Sequence, residues 1–286
     1  MTTHSADSSG PWSRPDARVV AVLGHPGHEL AIYGLLQRHP PAAVVVVTDG
    51  GGVQRVRESQ EGLRRIGLLE RTRYLDFPEA MFYDALLDFD VPFIRRVAAR
   101  VRAAIVPLAP TDVLCDAVEF YNPVHDITLP VVRLALDGQA AAVYEIPLVY
   151  EVLGRYDEYV VQRAPDTMRD RCVSFLLDER ELDAKASARD DVYRSLHEQA
   201  GPELLRVPRD EMAREELVLA ASHVAAPGAG GRGLRYERRA RLLHAEGRVE
   251  RMIAYADHFA PLLDGLGVPR DADCQSTIAD RRSRRS

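Results

Sequence analysis

Disulfides, membrane spans and basic patches are what this chain lacks. Its three cysteines, Cys115, Cys172 and Cys274, are scattered and odd in number, which fits a reducing compartment and no disulfide framework. No apolar run approaches the ~18 residues of a membrane span. The opening residues, Met1-Thr2-Thr3-His4-Ser5-Ala6-Asp7, have neither the basic nor the apolar part of a secretory signal, so a cytoplasmic location is expected. The net charge is −6, which argues against nucleic acid or an anionic membrane as partner. Lys185 is the only lysine; the other strong bases are arginine, as a biased composition gives. The turn Gly50-Gly51-Gly52 lets backbone approach a ligand. It is no Walker loop, since no Lys-Ser/Thr follows, and its contiguous glycines are no dinucleotide fingerprint. What the chain does have is 46% hydrophobic residues over 286 positions, enough for one large α/β domain. The expected partner is a small-molecule substrate, with a homo-oligomer left open.

Strands alternate with helices through the first half. Arg18–Gly24, Ala42–Thr48, Arg73–Phe77 and the run around Cys115 read as strands, with Cys115 as core packing. Helical patterns begin at Glu29, span Val53–Ile66 and Phe89–Val106, and follow His125 to about Gly138. This alternation gives a Rossmann-like, mainly parallel α/β sheet flanked by helices. Ala141–Tyr150, broken by Pro147, and the runs at 159–161 and 172–177 read as further strands, some at antiparallel edges. From Glu179 onward helices are expected, the last over Tyr236–Leu266, with a flexible break at Pro227–Gly233. The domain organisation is then a disordered tail over residues 1–17, a single domain with a helical C-terminal part over 18–266, and a flexible basic tail over 267–286.

The chemistry gathers at two strand exits. The apolar run Val19–Leu23 empties into Gly24-His25-Pro26-Gly27-His28-Glu29. The run Val113–Ala117 empties into Val118-Glu119-Phe120-Tyr121-Asn122-Pro123-Val124-His125-Asp126. Open α/β sheets bind ligands at the carboxyl ends of their strands. If the two strands are neighbours, His25, His28 and His125 converge, and three nitrogen ligands with water make an open catalytic zinc site.

These motifs resemble those of the LmbE-like (PIG-L) superfamily of metal-dependent N-deacetylases, which carries Ala-His-Pro-Asp-Asp-Glu after its first strand and His-Pro-Asp-His after a later one. Val47-Thr48-Asp49-Gly50 is similar to the family's Thr-x-Gly. Arg55-x-x-Glu58 with Gly67 resembles its next helix, and Tyr74-Leu75-Asp76-Phe77-Pro78-Glu79 its third-strand exit. The likeness covers roughly residues 18 to 135. It implies metal ligands at His25, His28 and His125, the second being an aspartate in the family. The family's general base falls on Gly27, and its substrate-polarising histidine on Asn122.

The resemblance therefore implies a metal-dependent hydrolase of an N-acyl or amide bond on a sugar-like or natural-product substrate, with the usual base missing. Zinc is the expected metal, with ferrous iron the alternative, since three histidines suit both. Asp126, Glu29 and Asp49 are the candidate replacement bases, Asp126 and Glu29 being equally readable as a helix N-cap and a first-turn charge. Asn122 is a candidate oxyanion donor. Arg55, Asp49, Gly27, Tyr121 and His258 are candidate substrate contacts, with His258 equally readable as structural. Two other readings stay open: a metalloprotein turned to a non-hydrolytic or redox tailoring reaction, and a non-catalytic binding protein.

Overall fold

The computed structural model describes residues 10–152, 155–199, 207–224 and 233–270. The break at Pro227–Arg232, the basic C-terminal tail, Cys274 and the first nine residues lie outside them. The strands are β1 (Val19–Leu23), β2 (Ala43–Thr48), β3 (Thr72–Phe77), β4 (Asp112–Asp116), β5 (Ala142–Ile146), β6 (Val149–Glu151), β7 (Tyr159–Val161), β8 (Cys172–Leu176) and β9 (Arg214–Leu219). The α-helices are α1 (Tyr33–Arg38), α2 (Val53–Arg65), α3 (Glu79–Asp88), α4 (Val91–Ile105), α5 (Pro123–Ala135), α6 (Glu179–Ser187), α7 (Arg194–Gln199), α8 (Arg209–Met212), α9 (Arg235–Ala245) and α10 (Ala260–Leu266).

Seven strands form one sheet in the order β3-β2-β1-β4-β5-β9-β8. The first five pair in parallel, and β9 is antiparallel to both β5 and β8. Strands β6 and β7 make a separate antiparallel ribbon. Strand alternation sorts the core into two layers. Val20, Val22, Val45 and Val113 face α4, α5 and α10, while Ala21, Leu23, Val44 and Leu114 face α1 and α2. No described helix is long and apolar enough to cross a membrane.

Four sequence expectations are corrected. The helix expected from Glu29 opens as a 3₁₀ turn over His28–Ile32 before α1. Helix α3 precedes α4, with Phe89 in a left-handed conformation between them; Asp90 caps α4 by accepting from the Phe93 N–H at 2.8 Å. The helix expected over Tyr236–Leu266 breaks after Ala245 and resumes as a π-turn at Tyr255–Phe259. Residues 10–17, expected as part of a loose tail, lie on the domain: Trp12 stacks on His39 at 5.4 Å, and Arg14 pairs with Asp112 at 2.7 Å.

Strand β9 is the largest departure from the expected helical C-terminal half. Its Glu215 and Glu216 are buried, which charge patterning alone reads as a solvated helix. Glu215 accepts from the Gly34 and Leu35 N–H groups at 3.0 and 2.7 Å, and from Lys185 Nζ at 2.9 Å. The lone lysine is thus fully buried and paired, and Lys185 also donates to the Ala31 carbonyl at 3.0 Å. Removing one partner of a buried pair leaves an uncompensated charge. Lys185→Met is therefore expected to lower unfolding stability by about 3–5 kcal/mol, read as a fall in the urea midpoint; an unchanged midpoint would show that Glu215 needs no counter-charge.

Candidate metal centre

Chain order reverses between β1 and β4: β2 and β3 lie on one side, β5 on the other. Such a switch point opens a crevice at the carboxyl ends of the two strands. His25 and His28 follow β1, and His125 lies in the first turn of α5 after β4. Gly27, at φ +98, turns the chain between the first two histidines. Arg55 clamps that turn, donating to the Pro26 carbonyl at 2.8 Å and the Gly50 carbonyl at 3.2 Å. On the other side, Asn122 caps α5, its side-chain oxygen accepting from the Val124 N–H at 2.9 Å. Before it, Phe120 sits at φ 57, a left-handed conformation that costs a non-glycine residue energy. Asp126 holds that strained loop, accepting from the Glu119 and Phe120 N–H groups at 2.8 and 3.1 Å.

The three imidazoles meet. One ring nitrogen from each lies within 4.8 Å of the others. The ring centroids are 5.0, 5.1 and 4.5 Å apart, each pair edge to face. Every ring also has its own carboxylate. His28 Nδ1 is 2.8 Å from Asp116 Oδ2. His125 Nδ1 is 3.5 Å from Glu119 Oε2, and His25 Nε2 is 3.1 Å from Glu79 Oε1, though neither of these two pairs has the alignment of a formed hydrogen bond. A carboxylate only accepts, so at His28, where the hydrogen bond is formed, Nδ1 carries the hydrogen and Nε2 is left as a lone-pair donor. This arrangement fixes metal-binding histidines.

Burial drives the pKa of His25 down against the pull of Glu79, and that of His125 well down, with His28 and His25 adding to the effect. Both are held neutral, the form that binds metal. Burial pushes the Glu79 carboxyl up, but His25, Tyr83 and Arg55 outweigh it and hold it at about 2. Burial keeps Glu119 well above the usual carboxylate range and lifts Asp126 to about 7. Imidazoles crowded together, with buried ring nitrogens of His25 and His125 that lack hydrogen-bond partners, fit a cation among them.

Gly24 makes the Asp116 contact possible. A Cβ there would lie 2.5 Å from Asp116 Oδ2, the oxygen that accepts from both the Gly24 N–H at 2.7 Å and His28. Gly27 carries a different constraint. A Cβ there would meet Leu196 Cδ1 at 2.7 Å, so the position the resemblance assigns to a base faces an apolar side chain.

The other candidates separate. Tyr121, Asn122, Arg55 and Gly27 line the cavity in front of the histidines, which has a volume of about 1170 Å³. Glu29 does not: its carboxylate accepts from the Gly27 N–H at 2.8 Å and the Tyr193 hydroxyl at 2.9 Å. Asp126 is fully buried in the first turn of α5, and Asn122, not Asp126, is the N-cap. Asp49 is taken up by the Gly51 and Glu79 N–H groups, both at 2.9 Å. His258 stacks on Phe89 at 5.8 Å, accepts from the Ala254 N–H at 3.1 Å and does not line the cavity. Sequence reasoning missed Glu79, Asp116, Glu119 and Leu196. The three carboxylates each stand at or just past a strand's carboxyl end, which is a usable signal; Leu196 comes from α7, far along the chain, and gives none.

No protein-family profile and no curated protein matches the chain. Solved structures do. The deacetylase Dbv21, acting on the A40926 pseudoaglycone, superposes with a TM-score of 0.52 at 16% identity, over 72% of this chain and 99% of its own. A deacetylase of teicoplanin biosynthesis gives 0.51 at 14%, over 71% and 99%. The zinc-inhibited form of teicoplanin deacetylase Orf2 gives 0.50 at 13%, over 71% and 99%. The chain has the LmbE-like fold. Within that fold, the two strand exits that carry the resemblance are the two that meet at the switch point.

Proposed function

We infer that this LmbE-like protein is a metal-dependent hydrolase of an N-acyl bond on a sugar-like or natural-product substrate. The observation that carries the reading is the trio of converging imidazoles, each beside an acidic side chain, opening on a large cavity at the switch point. The fold supports it, since the neighbours above are deacetylases of the A40926 pseudoaglycone and of teicoplanin biosynthesis. His25, His28 and His125 would hold the ion, zinc or ferrous iron. A bound divalent ion supplies a Lewis acid and brings the pKa of water toward about 7.

The chain's own groups do the rest. Glu79 lines the cavity beside His25 and stays ionised through the neutral range, which makes it the proton acceptor that Gly27 cannot be. Tyr83 donates to Glu79 at 2.9 Å and is itself met by Asn122. Asn122, Tyr83 and Glu79 thus form one polar wall that can orient an amide carbonyl and receive a proton. The apolar Leu196 at Gly27 is the observation that favours the second reading, a non-hydrolytic reaction at the same centre.

Protein purified without added metal separates the two. The expected result is one zinc or iron per chain, absent from His125→Ala, with amine release from N-acetylglucosamine-type substrates that follows metal content. Excess zinc belongs among the conditions, since one fold neighbour is described in a zinc-inhibited form. Bound metal without amine release from any N-acyl substrate would favour non-hydrolytic chemistry. No bound metal would remove both and leave a binding protein.

A further inference from the structure

The outer wall of the cavity is built from α9, a helix rich in arginine. It carries Arg235, Arg238, Arg239 and Arg241 against one carboxylate, Glu237, on a chain whose net charge is −6. Tyr236 is its one buried side chain, so core packing does not account for its composition. Two of the four arginines face the cavity: Arg235 and Arg239 both line it, one helical turn apart. Both also line a shallower cavity of about 610 Å³ that includes Arg241.

The neighbouring charges are mostly committed elsewhere. Arg238 pairs with Glu151, donating at 3.1 Å. Glu237 accepts from the Leu234 and Tyr255 N–H groups at 3.1 and 2.8 Å. Arg251, also in the cavity wall, pairs with Asp88 at 2.7 Å. Of the cavity's carboxylates, Glu79 serves His25 and Tyr83, which leaves Asp84 and Glu250. Arg239 has no ion pair among the described residues. The Arg235 guanidinium lies over the Tyr121 ring at 4.6 Å, and that ring stands 6.4 Å from His125. One aromatic ring therefore separates the first arginine from the histidine cluster. Like charges one turn apart repel, and an oxyanion between them turns that repulsion into two charge-assisted contacts.

We propose that Arg235 and Arg239 bind an oxyanion, a carboxylate or a phosphate, carried by the substrate at a point remote from the amide that meets the histidines. The substrate class is then acidic N-acylated sugars, not neutral ones. The amide's place rests on the hydrolase reading above; the anion's place does not.

Calorimetry on the full chain at low ionic strength tests this with three probes: N-acetylglucosamine, its 1-phosphate, and N-acetylmuramic acid. At least one acidic probe is expected to bind about 10-fold tighter than the neutral sugar, with the advantage shrinking as salt rises. The ranking of the two acids reads the position of the anion, C1 against the O3 substituent, and displacement of the tighter one by inorganic phosphate or by acetate distinguishes phosphate from carboxylate. The pair Arg235→Gln and Arg239→Gln should bring the acidic probes down to the neutral one, while Arg155→Gln, on the exposed β6–β7 loop, leaves them unchanged. Equal binding of all three probes would overturn the proposal. So would an acidic preference that survives in the folded double variant. Zinc titration and amine release, run on the same preparation, read the hydrolase separately: an anion preference without either leaves this site standing and removes that reading.

Discussion

Gly27→Asp is expected to destabilise the protein before it can supply a base. The backbone at this position has φ +98, where a side chain costs roughly 1–2 kcal/mol. The added Cβ would also lie 2.7 Å from Leu196 Cδ1, and overpacking of this kind costs about 1–3 kcal/mol. Together the expected loss is about 2–5 kcal/mol, read as a lower urea midpoint. Leu196→Ala in the same chain should return the overpacking part and leave the backbone part. It should also open the space a carboxylate needs, so the double variant is the one in which amine release can rise, by on the order of 10²-fold where proton transfer limits turnover. If the single variant is as stable as the parent, Leu196 does not wall off the position. If the double variant is folded, holds metal and gains no activity, the missing carboxylate is not what limits hydrolysis.

The parts of the fold that were legible in the sequence are those governed by local pattern. Apolar runs mark β1, β2 and β4, rich in valine in the first two, because a parallel strand buried on both faces needs them. Their polar exits carry His25, His28 and His125, whose convergence was legible because a switch point gathers strand ends regardless of what lies between. Strand β9 was not legible, because its two glutamates are buried by partners far away: Lys185 and the α1 backbone for Glu215, and the Ala164 N–H and Arg169 for Glu216, at 2.7 and 2.8 Å. Helix α3 was hidden because its cap is remote; the Glu79 N–H is taken by Asp49 from the β2 exit.

The site follows the same division. The three histidines are local to two motifs, whereas each acidic side chain beside them stands on or beside a different element: Glu79 at the start of α3, Asp116 at the end of β4, and Glu119 in the strained loop after it. Asp126 and Glu29 looked like free carboxylates because their partners are backbone N–H groups and, for Glu29, the distant Tyr193 hydroxyl, which a sequence does not show. Glu29 ties down the very turn that positions His28, and Asp126 the loop that positions His125. Both act one step behind the histidines, holding backbone in place.

Asp116→Asn should therefore weaken metal binding by about 10–100-fold with the fold retained. Asp116 Oδ2 accepts from both His28 Nδ1 and the Gly24 N–H, at 2.8 and 2.7 Å. An amide of the same size has one accepting oxygen and one donating nitrogen. If its oxygen takes the Oδ2 place, both contacts survive without the charge that strengthens the bond to His28; if its nitrogen takes that place, it opposes the Gly24 N–H and favours the His28 tautomer with the hydrogen on Nε2, which removes a lone pair from the metal-facing side. Glu119→Gln should cost less, because Glu119 stands 3.5 Å from His125 Nδ1, without a formed hydrogen bond, and its other oxygen is spent on the Val149 N–H at 2.9 Å. Competition against a chelator of known affinity measures both. Saturating metal should restore most of the activity of Asp116→Asn, since the three imidazoles remain. An unchanged affinity in Asp116→Asn, with an intact fold, would mean that the His28 tautomer is set by something other than this carboxylate. Equal losses in the two variants would mean that buried charge, and not the hydrogen bond to His28, is what the metal feels.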